Sequence, residues 1–250
     1  MSVRLLFDRF SGIQERVVIG DVRQAGDTPG YDSDMAVVPQ ENWTALSEID
    51  AEHLRPDRSI PNSMVIELVT QALPVFTSND LQGRLDTAAA LNPLKGIWPR
   101  RRLACTASQP GRLTSTEDPS TERRIGLHID NFDRRNYPDR HLSRRRLCLN
   151  LGPGTRYLLV GDRDIMEICR ALGQDQEQHC PHTDDVRQYI AAGHPLRCLR
   201  IRLEPGQGYT RQLSSCRTTV PQAAPRHGRS PLSGWAEPTA GERSQADSRS

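Results

Sequence analysis

The chain has 250 residues, enough for one sizeable hydrophobic core with polar extensions; its 36% hydrophobic content and mean hydropathy of −0.63 make it wetter than a fully packed domain of that length. A net charge of only +2 argues against nucleic acid as an obligate partner. No stretch approaches the ~18 consecutive apolar residues of a membrane span, and the first residues, Met1 to Phe7, lack a signal peptide's apolar run and cleavage site, so a cytoplasmic protein without a membrane partner is the expectation.

Residues 1–35 mix short apolar runs such as Val17-Val18-Ile19 with Gly, Asp and Pro, and read either as an added strand or as a loosely ordered leader. Three helices are then predicted: Glu41 to His53, Ser63 to Leu73 with Ser63 as cap and Pro74 as stop, and Asp80 to Leu91 with Asp80 as cap. After Pro99 the texture turns to strands. Arg102 to Thr106 reads as one, residues 107–122 as a long Ser/Thr/Pro/Gly loop, and Arg124 to Asp130 alternates apolar and other residues as a half-buried strand does. Arg146 to Leu151 alternates again, Gly152-Pro153-Gly154 turns, and Arg156 to Val160 reads as the returning arm of a hairpin. Short helices are predicted at Asp164 to Leu172 and Thr183 to Ala192, a strand at Leu196 to Leu203 and a turn at Pro205 to Gly208. Residues 210–250, rich in Ser, Arg, Pro and Gln with almost no apolar periodicity, bury too little surface to offset the entropy of ordering and are predicted to be disordered. This order gives a mainly β chain with N-terminal helices, an α+β arrangement with its ordered part at 36–209.

All but one of the 33 basic residues are arginine, a pattern that codon bias explains as readily as a need for carboxylate-binding forks. The 6 cysteines form no C-x-x-C pair, and most lie in apolar stretches like reduced, buried thiols. His179-Cys180-x-His182 offers three zinc-type donors in a loop, without a fourth in register. The sharper feature is His128-x-Asp130. On an extended strand, residues i and i+2 face the same side, so the imidazole and carboxylate aim at one point. That is two thirds of the 2-His-1-carboxylate arrangement that binds iron with open positions. A surface histidine beside an acid has the same signature, and His182-Thr183-Asp184 repeats it at a helix start.

The surrounding blocks carry a resemblance. Gly126-Leu127-His128-Ile129-Asp130-Asn131-Phe132-Asp133 resembles the metal-binding strand of small bacterial iron(II)/2-oxoglutarate oxygenase-like proteins. Arg146 to Gly152, Arg156 to Leu159, and Leu199 to Tyr209 resemble the core strands that follow in that family, so the likeness spans about residues 100–209. It implies a double-stranded β-helix (jelly roll), Fe(II) held by His128 and Asp130, 2-oxoglutarate as co-substrate, and hydroxylation of a small organic substrate. Arg146, Asn150 and Arg156 become candidates for holding the 2-oxo acid carboxylate, with an outward polar face as the other reading of the alternating pattern. A metal-free, cupin-like β-barrel binding module is the alternative function.

The family's next segment, with Ala-Pro-Thr-Glu followed by His-Asp-Gly-Ser, supplies the third metal ligand. Here Tyr209 is followed by Thr210-Arg211-Gln212-Leu213-Ser214-Ser215-Cys216-Arg217-Thr218-Thr219-Val220-Pro221, without histidine. Regrouping the codons of these residues from each third base makes the stretch compatible with Ala-Pro-Thr-Glu-Leu-Met-Pro-His-Asp-Gly-Ser. The missing histidine falls across the codons of Arg217 and Thr218. A frameshift after about Tyr209 therefore accounts for the unusual tail and predicts a jelly roll incomplete at its C-terminus, with little or no activity. A genuinely divergent tail is the other account. His182 and His194 are the histidines available to substitute.

Overall fold

The computed structural model describes residues 1–7, 12–57, 64–70, 83, 86, 106–108, 116–118, 120–131, 133–139, 145–152, 154–212 and 233–235. The described chain is mainly β, with few and short helices. Sheet one has the order β1 (Val3–Leu6), β5 (Met64–Thr70), β12 (Gln207–Gln212), β9 (Arg145–Leu149); only its β1–β5 pair is parallel. Sheet two is antiparallel: β10 (Arg156–Gly161), β11 (Arg197–Leu203), β2 (Val17–Gln24), with β3 (Val37–Pro39) and β4 (Thr44–Ala45) sharing the far edge of β2. Two small pairs, β6 (Thr106–Ser108) with β13 (Ser233–Trp235) and β7 (Glu117–Asp118) with β8 (Arg123–Arg124), complete the strands.

The alternation along each strand explains how the layers stack. Val17, Ile19, Leu158, Val160, Leu199, Ile201 and Leu203 lie on one face of sheet two and share a core with Val3, Leu5, Met64, Ile66, Leu68, Cys148 and Tyr209 of sheet one. On the opposite face, Val22, Leu159 and Cys198 pack with Leu127, Ile129 and two helices, α3 (Ile165–Ala171) and α4 (Thr183–Ala191). Sheet two is thus sandwiched between sheet one and a helical layer. The other helices, α1 (Ile13–Arg16) and α2 (Glu48–His53), are one or two turns long. No helix among the described residues is long and apolar enough to cross a membrane.

Several expectations are corrected. Within the helix predicted over 63–73, the described residues Met64 to Thr70 form a strand instead, β5, flanked by β1 and β12. Its buried Met64, Ile66 and Leu68 repeat every second residue, and a run rich in β-branched residues between two partner strands favours the ladder over helical packing. The helix over 41–53 shrinks to α2, which starts only after Ser47 caps it through a hydrogen bond from Asp50 N, while Thr44–Ala45 pairs with β2. The helix over 80–91 lies outside the described residues except at Gly83 and Asp86, both helical. Helices therefore do not precede strands, and residues 1–35, open between leader and strand, contribute β1 and the central β2. Of the 102–106 strand, only Thr106 is described, at the start of β6; most of 210–250 is likewise outside.

The proposed hairpin of β9 with β10 is also absent. β9 pairs in sheet one and β10 in sheet two, so the Gly152–Gly154 turn carries the chain from one layer to the other. α3, α4 and β11 fall where they were predicted.

Candidate functional site

His128 and Asp130 lie on an irregular segment beside β3, not on a regular strand: β8 ends at Arg124, and Gly126 takes φ 77. That left-handed turn brings the chain so close to β3 that a Cβ on Gly126 would meet Val37 O at 2.6 Å. Leu127 N then donates to Val37 O at 2.8 Å. Leu127 and Ile129 enter the core shared with α3 and α4, while the intervening His128 and following Asp130 meet each other. The i, i+2 logic holds without a strand ladder.

His128 is 4% and Asp130 2% exposed, and His128 Nε2 is 3.2 Å from Asp130 Oδ1. His128 Nδ1 is 2.9 Å from Gly126 O. A carbonyl only accepts, so Nδ1 carries a proton, and Nε2 is the atom turned to the carboxylate. Two lone pairs at this separation repel; a proton or a metal ion between them removes the conflict. Two ligands bound in adjacent positions at about 2.1 Å from a metal lie about 3 Å apart, close to what is found. The backbone carbonyl on Nδ1 is the outer contact that orients metal-binding histidines. The pair therefore fits a metal ion as two ligands.

Its frame is tied down from α4. Ile129 N donates to Thr183 Oγ1 at 3.2 Å, and Asn131 Nδ2 donates to Pro181 O at 3.1 Å and to Arg135 O at 2.8 Å. Arg187 on α4 places one terminal nitrogen 2.8 and 2.6 Å from the two carboxylate oxygens of Asp32, bracing the loop that Arg124 also holds through Gly30 O.

The residues offered for a 2-oxo acid carboxylate sit elsewhere. Asn150 is fully buried, and both of its amide hydrogens are committed, to Gly154 O and Leu203 O, while Gly152 N donates to its oxygen. This side chain builds the β9–β10 crossover. Arg156 starts β10 on the inner face with Leu158 and Val160, and burial pushes its guanidinium down to about 10. It lies at the edge of sheet two opposite β3. The backbone of Arg146 pairs with Arg211 in sheet one, and its side chain lies outside what is described. Neither substitute histidine joins the pair: His182 caps α4, and His194 stacks on Tyr189 with ring centres 4.7 Å apart.

The His179-Cys180-x-His182 group does not assemble as read. Cys180 is exposed with its thiol on Arg134 O, and His182 spends its ring on the helix cap. His179 turns instead to Asp185, Nε2 to Oδ2 2.8 Å, beside Cys169 of α3. Sequence reading missed this grouping because its three members belong to three elements; the capping-box acid at Asp185 was the visible clue. Burial, then the charges of Asp185 and Asp164, push the Cys169 thiol up to about 12. Among the described residues, this is the one group of three or more His, Cys, Asp or Glu donors close enough to share a metal ion.

Comparison with known proteins finds no matching family model, curated protein or solved structure.

Proposed function

We propose that the chain derives from an Fe(II)/2-oxoglutarate-dependent oxygenase on a double-stranded β-helix, with His128 and Asp130 as two of three iron ligands. The observation that carries this reading is the buried pair itself, with Nε2 of a histidine fixed through Nδ1 at 3.2 Å from a carboxylate oxygen. Two facing sheets around one core are compatible with that fold. Bound iron would supply O₂ activation coupled to oxidative decarboxylation of 2-oxoglutarate, hydroxylating a small organic substrate. Within the chain, Gly126 O sets the imidazole tautomer, Val37 holds the main chain just before the ligands, and Thr183 holds it between them.

As written, the chain lacks a third ligand near the pair among the described residues. We therefore propose low activity, with the missing histidine encoded out of frame after about Tyr209. That β12 pairs through Gln212 is neutral on this point, because ladder bonds use the main chain. A metal-free, cupin-like binding module is the second reading, favoured by the same missing ligand.

One experiment separates them. The frame-restored protein, given Fe(II) and 2-oxoglutarate without oxygen, is expected to develop a weak visible charge-transfer band that His128→Ala abolishes. Absence of the band in the restored, folded protein points to the binding module. Resequencing tests the frameshift: an alternative frame without the His-Asp-Gly-Ser codons refutes it.

A further inference from the structure

The two helices that cover the outer face of sheet two are joined by a polar stretch, Gln174-Asp175-Gln176-Glu177-Gln178-His179, with little apolar surface to hold it down. At its end three chemically different donors converge. Cys169 Sγ comes from α3, an imidazole nitrogen of His179 from the connection, and a carboxylate oxygen of Asp185 from the first turn of α4; all lie within 4.8 Å of one another. Cys169 is 1% and Asp185 3% exposed, so two donors are already withdrawn from water. The His179 side chain is 25% exposed, which leaves a path for an ion to enter.

We propose that Cys169, His179 and Asp185 bind a zinc-type divalent cation, with water as the fourth ligand, and that the ion staples the connection to both helices. Thiolate, imidazole and carboxylate are the zinc donor set. Donor atoms around tetrahedral zinc stand about 3.5 Å apart. The 2.8 Å His179–Asp185 contact therefore opens slightly and Cys169 closes in. Binding releases the Cys169 thiol proton to solvent; the imidazole hydrogen at the contact with Asp185 moves to the other ring nitrogen of His179, and the ion takes its place. Asp185 still receives His182 N at 2.7 Å, so the helix cap survives the exchange. The ion also closes a loop whose ordering the polar sequence opposes. Since α4 and Pro181 hold Ile129 and Asn131, the staple stands behind the His128 segment, yet it does not depend on any iron chemistry there.

Cobalt(II) tests this, because only a thiolate ligand gives it a near-ultraviolet sulfur-to-metal charge-transfer band, together with the intense visible bands of tetrahedral geometry. The reduced, metal-free full-length chain is titrated with cobalt and then zinc. The expected result is a stoichiometric thiolate band, displaced by zinc, lost in Cys169→Ser, and kept in Cys180→Ser and His128→Ala. His179→Gln, at a partly exposed loop position, is expected to weaken cobalt binding by about a hundredfold or more, and it serves if Cys169→Ser fails to fold. No thiolate band in the folded chain, or a band that survives Cys169→Ser, overturns the proposal. Asp185 would then be a metal-free hydrogen-bond hub for Cys169, His179 and the His182 amide. Failure of the oxygenase reading leaves this outcome untouched, since His128 and Asp130 offer no sulfur.

Discussion

Replacing Gly126 by alanine is expected to cost far more stability than replacing Gly173, although both have left-handed backbones, with φ +77 and φ +70. An L-residue in that region costs about 1–2 kcal/mol, and the stiffer unfolded chain returns about 0.4–1 kcal/mol. At Gly173 nothing lies within 4 Å of the added Cβ, so a net loss of roughly 0.5–1 kcal/mol is expected there. At Gly126 the same Cβ would stand 2.6 Å from Val37 O and 3.3 Å from Val37 N, both main-chain atoms of β3 that cannot rotate away. The segment must move off β3, which breaks the 2.8 Å bond from Leu127 N and leaves buried polar groups unpaired at about 1–3 kcal/mol. Gly126→Ala should therefore lose roughly 2–4 kcal/mol in all, a drop in Tm of about 5–15 °C for a chain of this size. Urea unfolding and thermal melts of the two variants side by side measure the difference. Equal losses at the two positions would refute the close approach of the His128 segment to β3.

Two further outcomes follow from the titratable groups. Burial alone would raise the Asp50 carboxyl, but hydrogen bonds from Ser47 and Arg197 and the Arg197 charge outweigh it and hold it below its usual range. The native state thus binds fewer protons than the unfolded chain in acid. The Asp50 contribution is complete above the unfolded pKa, near 4, and is lost as pH falls through the lower native value. Urea midpoints from about pH 6 to pH 3 should therefore converge for wild type and Asp50→Asn, and a gap that stays constant or widens in acid contradicts this. Of the four described cysteines only Cys180 is exposed, whereas burial pushes both the Cys169 and Cys198 thiols up. Alkylation of the metal-free native protein at about pH 8, read by mass spectrometry, should label Cys180 well before Cys169 or Cys198; comparable rates would show that the helical layer opens freely.

β10, β11 and the two helices of the outer layer were legible in the sequence because their signals are local. Alternation at 197–203, the Pro205-Gly206 turn and the helix beginning at Asp164 each depend on a few neighbouring residues, and each appears where it was read. The errors came where tertiary partners decide. Met64 to Thr70 carries apolar residues that satisfy a helical or a strand period, and only β1 and β12 on its two sides select the strand. Gly152-Pro153-Gly154 announces a turn, but not whether the arms pair. The Asn150 bonds to Gly154 O and Leu203 O turn it into a crossover between layers.

The two metal-type clusters differ in the same way. His128 and Asp130 are only two residues apart, so the short backbone between them keeps them close, and their pairing survives even though Gly126 breaks the predicted strand. Cys169, His179 and Asp185 meet only because α3 and α4 pack side by side on sheet two. The residues next to them gave the misleading motif: Cys180 and His182 sit beside His179 in sequence, but the connection turns one to solvent and the other onto a helix end. Spacing identifies a site where the backbone between its members has one conformation. Across a loop, the packing of the flanking helices decides which donors meet, and here it selects the buried thiol over the exposed one.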